Sequence, residues 1–162
     1  MHAPATLRFE AADAARPPAA ELLEAMIVEL AAVYGRIDGA GRPSATPVDF
    51  APPGGTFLVG WADDVPVACG GVKRIDDEVG EIKRMYVVPG WRGRGVAAAL
   101  LAALERAAAT LGYRLLRLDT GPAQPHAQAL YERSGYRPIA DYNANPDACF
   151  WGEKDLRARP GA

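Results

Sequence analysis

Lysine and cysteine are scarce in this chain of 162 residues: three lysines stand against 15 arginines, and Cys69 and Cys149 are the two cysteines. Two cysteines so far apart make no disulfide scaffold, and no CxxC pair or His/Cys cluster points to zinc. They read as two small buried hydrophobes in a reducing compartment. No window approaches about 18 uninterrupted apolar residues, so no membrane span is expected. Met1 to Glu10 lacks a basic start followed by an apolar run, so a signal peptide is not expected either, and a cytoplasmic location follows by default. A strong excess of one charge is also missing. The formal net charge of −2 argues against a nucleic-acid partner held by bulk electrostatics.

What is present fits one soluble domain over residues 1–162, 49% hydrophobic and 23% charged, long enough to bury a sizeable core. The 32 alanines favour helices. The arginine surplus carries more information, because arginine is the better bidentate phosphate ligand.

Alternation around Leu7 and Phe9 predicts a first strand over Thr6–Glu10. Leu22, Met26, Leu30 and Tyr34 recur every four residues and predict a helix over Ala19–Tyr34, started at Pro17-Pro18 and ended by Gly35. Gly35–Gly55 is rich in Gly, Pro and Ser and reads as a long irregular loop, either a binding loop or plain solvent structure. Thr56–Trp61, Val65–Ile75 and Val79–Val88, joined by short polar turns, predict an antiparallel meander. A helix over Gly95–Leu111 and a strand over Tyr113–Asp119 follow, and the helical crossover makes the strands on either side of it parallel. A short helix over His126–Ser134 and strands at Tyr136–Ile139 and Cys149–Lys154 complete an α/β (α+β) fold. Its sheet is mixed and mostly antiparallel, with helices on both faces.

The chemistry concentrates in Pro89-Gly90-Trp91-Arg92-Gly93-Arg94-Gly95-Val96-Ala97, between a strand and a helix start. Helix-start N–H groups carry partial positive charge, Gly93 and Gly95 allow close approach to the backbone, and Arg92 and Arg94 add full charges. The combination suits a pyrophosphate, and the competing reading is a solvated basic turn. A P-loop is excluded, because Val96 and Ala97 stand where Lys and Ser/Thr are needed. A dinucleotide (NAD/NADP) fingerprint is the runner-up: Gly93-x-Gly95-x-x-Ala98 has the spacing and Asp119 follows at a strand end. Against it, Pro89–Arg92 intervene before the first glycine, and no repeated strand–helix units follow Asp119.

Arg92-x-x-Gly95-x-Ala97 also resembles the (R/Q)xxGx(G/A) motif of the GNAT superfamily of acyl-CoA-dependent N-acyltransferases. Met85-Tyr86-Val87-Val88-Pro89 is similar to the strand before that motif. Leu130-Tyr131-Glu132-Arg133-Ser134-Gly135-Tyr136 resembles the family's later LYxxxG(F/Y) segment. The resemblance covers about residues 5–156. It implies that the strand at Val79–Val88 splays from that at Tyr113–Asp119, leaving backbone of Met85, Tyr86 and Val87 to pair with the pantetheine amides of acetyl-CoA. It implies that the amides of Arg92, Gly93, Arg94, Gly95, Val96 and Ala97 hold the pyrophosphate.

By the same resemblance Tyr131 is the acid that protonates the leaving thiolate, the alternative being a core or surface aromatic. Glu81 is the base, the alternative being a strand carboxylate paired with Lys83. The backbone N–H of Val87, or of a near neighbour on the splayed strand, serves the oxyanion. Gln124 stands where the family commonly has Asn and is placed at the pantetheine. His126, at a helix start, reads as a capping residue rather than a base.

The implied acceptor is a primary amine of a small molecule, amino acid or peptide, in a pocket built from the first helix, the Gly35–Gly55 loop and Tyr142–Pro146. No metal, nucleic acid or membrane is implied, and a homodimer is compatible with the resemblance. A catalytically silent acyl-CoA-binding domain is the remaining alternative.

Overall fold

Alternation in the central strands places apolar residues on both sheet faces, so helices must cover both. The computed structural model describes residues 4–35 and 45–158. The elements are β1 (Leu7–Ala11), α1 (Ala19–Tyr34), β2 (Thr56–Ala62), β3 (Val65–Arg74), β4 (Val79–Val87), α2 (Val96–Thr110), β5 (Leu115–Thr120), α3 (Pro125–Arg133), β6 (Arg137–Pro138) and β7 (Phe150–Asp155). The sheet has seven strands in the order β1-β2-β3-β4-β5-β7-β6. Every pairing is antiparallel except β4 with β5. This is the mixed sheet expected from the sequence, with strand ends shifted by one or two residues.

On one face Leu100, Leu101, Leu104 and Ala108 of α2 pack on Leu58, Val72, Ile82, Leu116 and Leu118. Tyr131 of α3 joins the same cluster. On the other face Ala19, Leu22 and Met26 of α1 cover Phe57, Val59, Cys69 and Tyr86. Burial pushes the Cys69 thiol up to about 12, the behaviour of an inert core residue. Cys149 departs from expectation and is exposed.

Residues 36–44 of the expected loop Gly35–Gly55 lie outside the described residues. Pro47–Phe50 forms a 3-10 turn in which the Thr46 and Asp49 side chains cap one another's backbone. The turn sends Phe50 into the α1-side core. Phe50 lies over Gly71 so closely that a Cβ there would fall 2.3 Å from the ring. Gly71→Ala is therefore expected to displace Phe50 and cost about 1–3 kcal/mol, read as a lowered Tm with unchanged far-UV dichroism.

Candidate active site

β4 carries an irregularity that organises the site. Gly71 pairs with Lys83 and Cys69 with Tyr86, so Gly70 alone opposes both Arg84 and Met85. Arg84 takes φ +63. One extra residue resets both strand alternations. Ile82 and Met85 would otherwise face opposite sides. Here both pack on the α2 side, while Tyr86 packs on the α1 side.

The hydrogen-bond ladder resets as well. Before the bulge the Val79 carbonyl accepts from Ile75, and after it the Val88 N–H donates to Val67. In an antiparallel ladder, neighbouring residues point their N–H and C=O to opposite edges. The Val87 N–H and C=O therefore face away from β3. That edge is open: β4 and β5 pair only at Val79↔Leu115, Gly80↔Leu116 and Glu81↔Arg117. The expected splay is present, and Val87 sits on it.

The strand then runs through a 3-10 turn at Pro89–Trp91 into α2. Gly93 and Gly95 have φ +74 and +80, values that glycine adopts without strain. Gly95 is the N-cap, and the first helical bond is Ala99 N–H to Gly95 C=O. The N–H groups of residues 93–98 thus have no acceptor among the described residues. Six such groups at a helix start form a cradle for an anion. The two arginines are placed differently from expectation. Arg92 lines the cleft, but its guanidinium donates to the Val87 carbonyl at 2.9 Å and bridges to Glu29 of α1 at 2.8 Å. Arg94 stacks 4.9 Å over the Trp91 ring and is not part of the cleft wall. The backbone, rather than guanidinium charge, supplies the cradle.

Cradle and splay open into one cleft of about 910 Å³. Its wall includes Met85, Tyr86, Val87, Gly93, Gly95, Val96, Ala97, Gln124, His126 and Tyr131. Tyr131 is a buried core residue packed edge-on against Tyr136, and it also lines the cleft. Its hydroxyl donates to the Met85 sulfur at 3.7 Å. Burial, with the Asp119 charge adding, pushes its pKa up to about 12, so it is a protonated donor at neutral pH. Gln124 is the residue before α3 and accepts from the Thr120 hydroxyl at 3.3 Å.

Glu81 is not on the cleft wall. Its carboxylate is buried and accepts from the Tyr142 hydroxyl and Asn143 Nδ2, with Lys83 Nζ 3.8 Å away. Burial first, and the Glu81 charge second, raise the Tyr142 pKa. The wall instead shows Lys83 and Asp119, whose charged atoms lie 3.2 Å apart. Asn143 and Asn145 also donate to Asp119, at 2.6 and 3.2 Å, and Asn143 Oδ1 accepts from the Trp151 indole. The amides and the phenol expected to greet an acceptor are thus mainly turned inward, holding two carboxylates. Sequence reasoning passed over the Lys83–Asp119 pair. Its one signal was Lys83-Arg84, two charges following Glu81 in a strand at the centre of the sheet.

A strand pair that parts beside a bare helix start defines a site for an elongated ligand with an amide-bearing arm and an anionic end. Residues 23–136 match the Acetyltransferase (GNAT) family, and the chain belongs to that family. An IAA acetyltransferase from Azospirillum brasilense is 37% identical over 112 residues, 66% of this chain and 72% of that protein. The structure of a GNAT family acetyltransferase from Staphylococcus aureus Mu50 superposes with a TM-score of 0.76 at 18% identity, over 94% of this chain and 100% of that one. A GNAT family acetyltransferase from Elizabethkingia anophelis, solved with acetyl-CoA bound, superposes with a TM-score of 0.65 at 17% identity, over 92% and 97%. This chain is accordingly an N-acetyltransferase of the GNAT family.

Proposed function

We propose that this chain, acting as one domain, moves the acetyl group by direct attack of a primary amine of a small molecule, amino acid or peptide on the thioester. The observation that carries this reading is the open edge of β4, where the Val87 N–H faces the splay between the N–H cradle of α2 and the Tyr131 hydroxyl. The cradle takes the pyrophosphate, and the β4 backbone that faces the open edge at Met85 and Val87 pairs with the pantetheine amides. The Val87 N–H meets the carbonyl oxygen as it gains charge. Holding thioester and amine together supplies much of the rate. Tyr131 protonates the departing thiolate. Glu81, behind Lys83, tunes the charge of the wall rather than meeting the amine directly.

Acetyl-CoA at about 100 Kd is expected to stabilise the fold by about 2.7 kcal/mol, seen as a raised Tm. NAD and NADP are expected to leave Tm unchanged. CoA release over a panel of amino acids, polyamines, arylalkylamines and short peptides then reads the acceptor. Stabilisation by NAD without stabilisation by acetyl-CoA overturns the reading. Tight acetyl-CoA binding with no turnover on any amine marks a silent binding domain instead.

A further inference from the structure

We infer that Asp119 is the group that receives the acceptor's amine proton, an inference that rests on the acetyl-transfer reading above. Asp119 is the last but one residue of β5, two residues beyond the last β4–β5 pair, so its side chain stands where the strands have parted. The side chain is 8% exposed and lies on the cleft wall.

Its two oxygens are used unequally. Oδ2 takes Asn143 Nδ2, Asn145 Nδ2 and Lys83 Nζ, whereas Oδ1 takes Lys83 Nζ alone at 3.2 Å. A carboxylate oxygen can accept about two hydrogen bonds. Oδ1 therefore keeps an accepting position, and the two asparagines fix which oxygen that is. Asp119 is also close enough to Tyr131 for its charge to act on the phenol. The proton acceptor and the proton donor thus share one end of the cleft. Glu81 has no comparable opening, since Tyr142, Asn143 and Lys83 surround it away from the wall.

The step balances as follows. The neutral amine nitrogen forms a bond to the acetyl carbonyl carbon, and the proton it sheds passes to Asp119 Oδ1. The C–S bond breaks, and the CoA thiolate takes the Tyr131 proton. The products are the acetamide and CoA thiol, and water returns both side chains to their starting states.

The test compares Asp119→Asn with wild type on two nucleophiles, the alkyl amine turned over fastest in the panel and hydroxylamine. Hydroxylamine is weakly basic and sheds its proton to water readily. The variant is expected to lose about tenfold or more in kcat/KM for the alkyl amine while staying close to wild type with hydroxylamine. Acetyl-CoA affinity, by calorimetry, is expected to stay unchanged. A purely structural role would lower both rates together, and that result overturns the assignment, as does an undiminished alkyl-amine rate. Should Asp119→Asn lose its melting transition, Asn145→Ala, which loosens the aim of the carboxylate, is expected to show the same split at smaller amplitude, and equal rates on both nucleophiles would overturn the assignment there too. A wild-type enzyme silent on every amine removes the acetyl-transfer reading and this inference together, and it is recognised before any variant is made.

Discussion

Tyr131→Phe is expected to lower kcat by about 10²–10³ and to leave acetyl-CoA affinity unchanged. The hydroxyl is the one polar atom of a side chain otherwise embedded in the core, and its bond to the Met85 sulfur at 3.7 Å is weak. Removing it leaves no strong partner unsatisfied, so the ring keeps its place and the fold loses little. The departing thiolate, however, loses its proton source. A burst of bound acetyl-CoA with slow thiol release would show the loss at chemistry rather than at binding.

The phenol's raised pKa fixes two pH signatures. The wild-type rate should show no decline from Tyr131 ionisation until pH nears about 12. The folded state also holds this proton more tightly than the unfolded chain, whose tyrosine titrates near 10. The associated stability is fully present below pH 10 and is lost as pH climbs through about 12. Wild type should therefore lose stability relative to Tyr131→Phe as pH rises from 10 to 12, its melting temperature falling below that of the variant. Curves that stay parallel from pH 9 to 12 would contradict the phenol's assigned environment.

The parts of this enzyme legible in its sequence are those in which neighbours in the chain are also neighbours in space. α1 runs Ala19–Tyr34 as its four-residue apolar period requires. The cradle was visible because its parts, Gly93, Gly95 and the first turn of α2, are contiguous. What sequence could not supply were contacts between distant segments. An arginine between glycines reads as a phosphate ligand, yet the Arg92 guanidinium is engaged by Glu29, 63 residues away. Asp119 meets Lys83 only because a helical crossover lays β5 beside β4.

The bulge was partly legible. Ile82 and Met85 stand three apart in a strand, a spacing that alternation cannot place on one face without an extra residue. The polar segment at Tyr142 to Asn145 shows the complementary error. Its hydroxyl and amides suggested an outward-facing pocket, but two buried carboxylates nearby demanded donors, and the segment folded inward to supply them.

Ala97→Asp is expected to separate binding from stability by moving them in opposite directions. Ala97 is the second residue of α2 and lies on the cleft wall. A carboxylate in the first turn of a helix interacts favourably with the helix dipole and can accept from bare N–H groups, worth about 0.3–1 kcal/mol. The unliganded variant should therefore melt at or above the wild-type temperature. The same carboxylate faces the place where the cradle would hold a pyrophosphate. Two like charges about 4 Å apart near a protein surface repel by about 4 kcal/mol, so acetyl-CoA affinity should fall by about 10²–10³. Ala97→Asn, neutral and of similar shape, should recover most of the lost affinity, which separates repulsion from crowding. A variant that melts higher and still binds acetyl-CoA like wild type would mean that the six free N–H groups of residues 93–98 serve the helix alone, and the pyrophosphate would have to be held elsewhere in the cleft.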